Sequence, residues 1–245
     1  MKPYLNNIKD FINFFIEQIH MEVNRVPMKN IIGNNLDKTN KEKVFIEFLK
    51  YFVDNYCSII SDLFYAVNCK SIECTLCKTS FYAYKIFSFL IFPLEQVRYF
   101  VQEKSINLFK SIDIYQCFEY DKRPIKMEYY CNKCNTKNHN IALTSLATGP
   151  EILIIIIQEQ NNISFQFYEV LNLQNYIELS NYGCQYQLIG VIAQIGNNFI
   201  SYCREFWNNT WFKFNDSIVE PVNNSNEVFC PEIPHVLFYR KVKNY

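Results

Sequence analysis

The chain has 245 residues, of which 49% are apolar, and its 24 lysine and arginine residues balance its 24 aspartate and glutamate residues. This length and apolar content exclude a disordered chain and predict a single domain over residues 1–245. The absence of net charge excludes global attraction to nucleic acid or to an anionic membrane, so we expect neither as a partner.

No membrane span or leader is predicted. The longest apolar run covers only residues 152–157, whereas a membrane-spanning helix needs about 20 apolar residues. The first residues lack the apolar core and cleavage site of a signal peptide. We therefore expect a cytoplasmic or nuclear protein.

Two amphipathic helices are predicted near the N-terminus. The first covers residues 8–23, with Asn6 or Asn7 available to cap its first turn. We expect it to bury one face made of Ile8, Phe11, Ile12, Phe15, Ile19 and Val23. A polar loop over residues 29–43 follows. The second helix repeats apolar residues at intervals of three and four, at Phe45, Phe48, Leu49, Phe52 and Val53.

Strands dominate the rest of the chain. Residues 59–65, 79–89 and 126–130 are rich in β-branched and aromatic residues and are predicted to be strands, whereas 102–118 forms a helix or an irregular segment. The run 152–157 predicts a strand buried on both faces at the centre of a sheet. An antiparallel sheet is expected to continue through 164–171, 186–195, 199–204, 210–215 and 236–241.

Four of the ten cysteines form two CxxC pairs, Cys74/Cys77 and Cys131/Cys134. Each pair lies at a turn beside a predicted strand, and four thiolates so arranged are typical of a structural Zn²⁺ site. The missing secretory signal favours metal over disulfides. His139 is an alternative ligand, although we favour the all-cysteine set. The other cysteines are expected to be small buried side chains or inert thiols: Cys57, Cys69, Cys117, Cys184, Cys203 and Cys230.

The C-terminal half contains four motifs in a fixed order: residues 186–196 (YQLIGVIAQIG), 199–204 (FISYCR), 211–219 (WFKFNDSIV) and 234–239 (PHVLFY). The order of these motifs and the residues in them resemble the ubiquitin-specific protease family of cysteine-type deubiquitinases. Three further segments extend the resemblance to most of the chain: 10–20 (DFINFFIEQIH), 58–64 (SIISDLF) and 150–155 (PEILII).

The resemblance implies an α+β fold of the papain-like cysteine protease superfamily, shaped like a hand. Residues 1–57 would form a partial helical thumb, 58–148 most of the fingers with their zinc ribbon, and 149–245 most of an antiparallel β palm. In this family, fingers and palm hold ubiquitin. A shortened thumb would leave the Phe11, Phe15 and Ile19 face uncovered, so we expect an obligate protein partner there.

The nucleophile and the base of the family have no counterpart in this chain. Thiol hydrolysis of an isopeptide bond needs a cysteine, a histidine and a group that orients the imidazole. The family's cysteine box is absent, and Cys57 lies at a structural position instead. Asn198, preceded by Asn197, occupies the histidine position, and asparagine cannot act as a general base. Another histidine common in the family is replaced by Gln194, and the loop before residue 199 is shortened.

The third position of the triad is retained as Asn215 and Asp216. Without an imidazole to orient, these residues alternatively only end a strand in a turn. We therefore expect a non-catalytic relative that binds ubiquitin, a ubiquitin-like protein or another partner. The alternatives are an active thiol hydrolase whose nucleophile lies on an upstream segment, and a structural subunit that does not touch ubiquitin.

Overall fold

A computed structural model describes residues 8–27, 37–104, 111–158, 163–179, 183–196, 198–231 and 233–242. Within these ranges the chain forms two large sheets with helices packed against them. The α+β class predicted from the sequence is confirmed. Three features named in the sequence analysis lie outside the described residues. They are the candidate caps Asn6 and Asn7, most of the predicted polar loop, and Asn197.

The two predicted N-terminal helices are present as α1 (Ile8–Val23) and α2 (Lys41–Asn55). The buried face predicted for α1 is wrong in part, because Ile12, Ile16 and His20 point inward, whereas Phe11 and Phe15 are exposed. The two phenylalanine rings stack on each other at 6.0 Å. No other described residue covers this apolar surface. The exposure expected for Phe11 and Phe15 is observed, whereas Ile19 is partly buried against the core beneath α1.

A third helix, α3 (Ile59–Phe64), replaces the strand predicted for residues 59–65. Ser58 caps it, since its hydroxyl accepts from Ser61 N at 3.0 Å while Ser61 Oγ accepts from Ser58 N at 2.9 Å. The buried His20 ring hydrogen-bonds Ser58 Oγ at 2.7 Å. This capping box and its tertiary contact override the β propensity of the isoleucines.

A four-stranded antiparallel sheet, the finger sheet, has the order β2-β1-β6-β5. Its strands are β1 (Ala66–Glu73), β2 (Ser80–Phe87), β5 (Ile125–Cys131) and β6 (Thr136–Leu146). No residue of β2 is buried, and Cys131 is the only buried residue of β5. Tyr82 and Tyr84 of β2 pack, partly buried, against a small apolar core that they share with α2. Strand β5 contributes no side chain to this core and therefore gains the least stability from apolar burial.

The second sheet, the palm sheet, has the order β13-β12-β11-β10-β14-β7-β3, with β9 paired to β10. Neighbouring strands are antiparallel except β3 and β7, which are parallel. The strands are β3 (Leu90–Pro93), β7 (Ile152–Gln158), β9 (Val170–Asn172), β10 (Gln185–Ile195), β11 (Asn198–Arg204), β12 (Trp211–Asn215), β13 (Ile218–Pro221) and β14 (Ile233–Lys241).

Strand β7 is buried on both faces, as its six-residue apolar run predicts. Ile155 and Ile157 belong to the main core, which also contains residues of α4 (Leu94–Lys104) and α5 (Ile114–Asp121). Ile154 and Ile156 pack on the other face against α1 and α3. The palm sheet thus lies between two helical layers. Strand β7 is interior, between β14 and the edge strand β3.

Other details differ from the prediction. The strand predicted over 164–171 is divided into β8 (Ser164–Gln166), which pairs with β4 (Ser111–Asp113), and β9. The segment 102–118 contains the end of α4, then β4 and the start of α5. The last helix is α6 (Asn226–Phe229). Of the cysteines outside the CxxC pairs, Cys203 and Cys230 are exposed and Cys57 is half-buried, so the expected burial fails there. No helix among the described residues is long and apolar enough to cross a membrane.

We predict that Ser58→Ala destabilises the protein by about 2 kcal/mol, because it removes both the cap of α3 and the partner of the buried His20. The free energy of unfolding from urea titration measures this loss. Ser164→Ala, at an exposed position of β8, is the matched control. Equal stability of the two variants would contradict the role assigned to Ser58.

Candidate functional site

The four paired cysteines meet at one end of the finger sheet. Cys74 and Cys77 lie in the turn between β1 and β2, whereas Cys131 ends β5 and Cys134 lies in the turn to β6. The sulfurs of Cys74 and Cys134 are 3.7 Å apart, and those of Cys77 and Cys131 are 3.6 Å apart. All four lie within 4.8 Å of one another. The structure thus joins residues from two hairpins into one cluster.

The backbone of the two hairpins turns in the same way. The residue after each CxxC pair has a left-handed conformation, with φ 57° at Lys78 and 54° at Asn135. In the first hairpin, Cys74 N donates to Thr79 O and Lys78 N donates to Cys74 O, both at 2.9 Å. This tight turn lets both cysteines of the pair direct their sulfurs to the same cluster.

Asn140 ties the two hairpins together. Its side chain is fully buried, and its Nδ2 donates to Tyr129 O at 2.9 Å and to Asn138 O at 3.0 Å. Its Oδ1 accepts from Thr75 N at 3.3 Å. A buried amide whose groups are all paired fixes the geometry of the polar backbone around it. The cysteine cluster is therefore held in place by the protein.

Hydrogen bonds favour the thiolate form of two cysteines. The backbone N–H of Cys77 lowers the pKa of Cys74 to about 6. The Thr79 hydroxyl lowers the pKa of Cys77. A thiolate is the form that binds metal.

The cluster fits a tetrahedral metal ion. Four sulfurs at the Zn–S distance of about 2.3 Å lie about 3.8 Å from one another, close to the separations of 3.7 and 3.6 Å given above. The sulfur separations far exceed the S–S bond of about 2.05 Å in a disulfide, and all ten cysteines are free. His139, the alternative ligand, is exposed and is not a member of the cluster. These four cysteines are the residues that could hold a metal.

Asn198, at the position where the family resemblance places the base, is the exposed first residue of β11. It pairs with Ile195 of β10, so that only residues 196 and 197 connect the two strands. Gly196 takes φ 59° in this connection. The loop is therefore short, as the sequence predicts. The Asn198 amide has no group that could take a proton from a thiol.

Asn215 and Asp216 lie at the same end of the palm sheet. Asn215 ends β12 and pairs with Ile218, which makes residues 216 and 217 a two-residue hairpin loop. Asp216 is exposed with φ 52°, a conformation that such loops require and that aspartate tolerates. The register of β11 and β12 sets Ser201 opposite Phe214, which places Asn198 and Asn215 near one rim. Among the described residues, no hydrogen bond joins Asn198 to Asn215 or Asp216.

The sequence did not predict one contact beside this rim. His235 of β14 approaches Gln194 of β10, with Nε2 3.3 Å from Gln194 Oε1, while Gln194 Nε2 donates to Gly196 O at 2.9 Å. The imidazole also packs on Phe199 at 5.2 Å, and burial lowers the pKa of His235. A β-bulge in the pairing of β10 with β14, between Ile192 and Ala193, lies beside this contact. No pattern in the sequence predicts the bulge.

Cys57 lies in a connection between two helices. Its backbone N–H donates to Asn24 Oδ1 at 2.9 Å and its carbonyl accepts from Arg25 N at 3.0 Å. These bonds join the end of α1 to the start of α3. That Cys57 has a structural role and is not the nucleophile stays a prediction.

A comparison with protein families matches residues 5–239 to the family described as "Ubiquitin carboxyl-terminal hydrolase". The chain belongs to this family. The predicted family resemblance is confirmed, and with it the papain-like α+β fold.

The curated relatives are distant and much longer. Ubiquitin carboxyl-terminal hydrolase 5 of Saccharomyces cerevisiae is 22% identical over 96% of this chain and 32% of its own length. Human ubiquitin carboxyl-terminal hydrolase 2 is 23% identical over 89% of this chain and 37% of its own. The chain thus spans about a third of the length of each of these relatives.

Solved structures of the SAGA deubiquitinase module, which contains Ubp8, Sgf11, Sus1 and Sgf73, share the fold. One chain superposes with a TM-score of 0.68 at 22% identity over 99% of this chain and 52% of its own length. A second, from the module bound to monoubiquitin, gives 0.61 at 20% identity over 83% of this chain and 47% of its own. At this identity the likeness shows the fold alone.

We predict that Cys77→Ser and Cys134→Ser abolish stoichiometric metal binding, because each removes one sulfur from the cluster. Elemental analysis of the purified variants measures the metal content. Cys203→Ser, which changes an exposed cysteine outside the cluster, should keep the wild-type content. Full metal content in both cluster variants would rule out the four-sulfur site.

Proposed function

We propose that this chain is a non-catalytic deubiquitinase-like scaffold that binds ubiquitin or a ubiquitin-like protein. The observation that carries the proposal is Asn198 at the start of β11, where the family reaction needs a histidine. A missing histidine within the chain cannot be explained by a missing upstream segment. The finger and palm sheets are nevertheless formed, with a complete core in the palm.

The metal of the cysteine cluster is zinc in this proposal. Four cysteine thiolates at these separations suit Zn²⁺, which takes a tetrahedral set of sulfur ligands and has no redox chemistry of its own. When bound, zinc would supply structural cross-linking. It would compensate for the small apolar burial of β2 and β5.

The binding surface follows from the division of the chain. In the proposal, residues 1–57 form a partial thumb, 58–148 supply the finger strands and 149–245 most of the palm, and ubiquitin lies against fingers and palm. Within 58–148, strand β3 and helices α4 and α5 pack in the palm. The structural relative bound to monoubiquitin supports this use of the fold. The charge balance of the chain agrees with a cytoplasmic or nuclear protein that recognises a protein and neither nucleic acid nor membrane.

The exposed face of α1 supports a second protein partner. Phe11, Phe14 and Phe15 are each about half exposed, at 48%, 50% and 54%. Adjacent exposed phenylalanines on one helix form the kind of apolar surface that proteins cover at an interface. We propose that a partner protein covers it. The neighbours in the solved modules are likewise assembled with other chains.

A second candidate function is an active thiol hydrolase whose nucleophile lies on a segment upstream of this chain. One observation favours it, namely the pairing of His235 with Gln194. Gln194 Nε2 donates to Gly196 O, so its Oε1 faces the imidazole and fixes the tautomer with the proton on Nε2. An amide that orients a neutral imidazole is also a feature of thiol proteases. Strand β14, which carries this imidazole, is separated from β11 by β10, although the ring reaches Phe199 of β11.

We predict micromolar binding of ubiquitin to the metal-loaded protein. Titration of labelled ubiquitin, followed by fluorescence anisotropy, measures it. Chelation should abolish the binding because it removes the metal that holds the fingers, and restoring zinc should recover it. A metal-loaded protein that leaves the anisotropy unchanged would contradict the receptor function and favour a structural subunit.

We predict no cleavage of a ubiquitin fusion and no covalent labelling by a ubiquitin probe with a thiol-reactive C-terminus. Asn198→His alone should remain inactive, since no cysteine box is present. His235→Ala should change neither result. Labelling of a cysteine in wild type that His235→Ala abolishes would contradict the non-catalytic assignment. The second candidate requires the same dependence on His235 for labelling of a cysteine in a protein extended by the upstream segment.

A further inference from the structure

Both metal-binding hairpins carry the same six-residue pattern, Cys-x-x-Cys-x-Thr. It covers residues 74–79 (CTLCKT) in the first hairpin and 131–136 (CNKCNT) in the second. A metal site of four cysteines requires only the CxxC part. The repeated threonine, two residues after the second cysteine, is therefore not explained by metal ligation alone.

The turn geometry brings each threonine to a sulfur. The left-handed residues Lys78 and Asn135 reverse the chain directly after the second cysteine. As a result, Thr79 Oγ1 lies 3.4 Å from Cys77 Sγ and Thr136 Oγ1 lies 3.0 Å from Cys134 Sγ. A metal-bound cysteine has lost its proton, so in each pair only the threonine hydroxyl can donate.

A third sulfur has a weaker contact of another kind. Asn138 Nδ2 lies 3.8 Å from Cys74 Sγ and donates to Thr75 Oγ1 at 3.3 Å. Cys131 is fully buried, and among the described residues no side chain other than a cysteine donates to it. The two threonines therefore make the shortest side-chain contacts from outside the cluster, one for each hairpin.

We propose that Thr79 and Thr136 are positioning residues of the metal centre, whose hydroxyls hold the Cys77 and Cys134 thiolates and raise the affinity for metal. The inference rests on the zinc site proposed above. Four thiolates around a divalent cation leave excess negative charge, which a hydroxyl donor compensates through a charge-assisted hydrogen bond. The same bond fixes the side-chain rotamer, so less ordering is needed when the ion binds.

The competing explanation is that threonine only suits the start of a strand, since Thr136 opens β6 and Thr79 precedes β2. Valine and serine separate the two explanations. Valine keeps the β-branched shape and removes the donor, whereas serine keeps the hydroxyl and removes the methyl group. The test therefore uses Thr79→Val, Thr136→Val, Thr79→Ser and Thr136→Ser, with Thr144→Val in β6 as the control.

Competition with a chromophoric chelator measures the zinc affinity of each purified full-length chain. Each valine variant is expected to bind zinc about 10-fold more weakly than wild type, as is usual when a residue that supports a metal ligand is lost. Each serine variant and Thr144→Val should bind as wild type does. Affinity of both valine variants within about twofold of wild type would overturn the inference, as would serine variants as weak as valine.

A spectrum at saturating cobalt gives a readout that weakened folding would not move. The sulfur-to-cobalt charge-transfer band should shift to lower energy in the valine variants, because an unbonded thiolate is the better electron donor. An unshifted band in both would also overturn the inference. Wild-type protein that lacks the band of four bound thiolates would contradict the zinc site itself, and an intact wild-type band with unaffected variants would contradict only the role of the threonines.

Discussion

The finger sheet depends on the meeting of four sulfurs at the tips of two hairpins. The apolar core of this sheet is small: it consists of Val67, Cys69 and Ala147, with Tyr82 and Tyr84 of β2 and two phenylalanines of α2 packed against it. Strand β5 contributes no side chain to that core, so backbone pairing alone leaves this side of the sheet marginal. The cysteine cluster and the buried Asn140 connect the hairpins at the end farthest from the palm core. A metal ion bound there would stabilise the finger sheet, as the apolar core stabilises the palm sheet.

The main apolar core of the palm contains none of the four clustered cysteines. Strand β7 buries alternate residues in two separate cores, and Tyr186, Tyr202 and Tyr239 are fully buried beneath the sheet. Asn198, by contrast, is at an exposed strand end, and Asp216 lies in a hairpin loop that its left-handed backbone suits. Neither position contributes to the core. The side chains at the rim of the sheet can therefore change while the fold is kept.

Patterns with a single physical cause were predictable from the sequence. The isoleucine run of β7 and the CxxC pairs follow from burial and metal geometry, and the short loop before β11 follows from the family resemblance. The isoleucines of α3 favour a strand, whereas its buried cap Ser58 is also held by a contact with His20, which is distant in sequence. The pair His235 and Gln194 required a β-bulge that no local pattern indicates. The threonines after each CxxC pair were visible in the sequence, but their role needed the left-handed turns that bring them to sulfur.

Hydrogen exchange of metal-loaded and chelated protein, followed peptide by peptide, measures how far a metal ion at the cysteine cluster stabilises the finger sheet. If the cysteine cluster holds the fingers through a metal, chelation should remove protection from β1, β2, β5 and β6 and leave β7, β10 and β14 protected. Reloading with zinc should restore the protection. Unchanged protection in the finger strands, or loss of protection throughout the palm, would contradict the account.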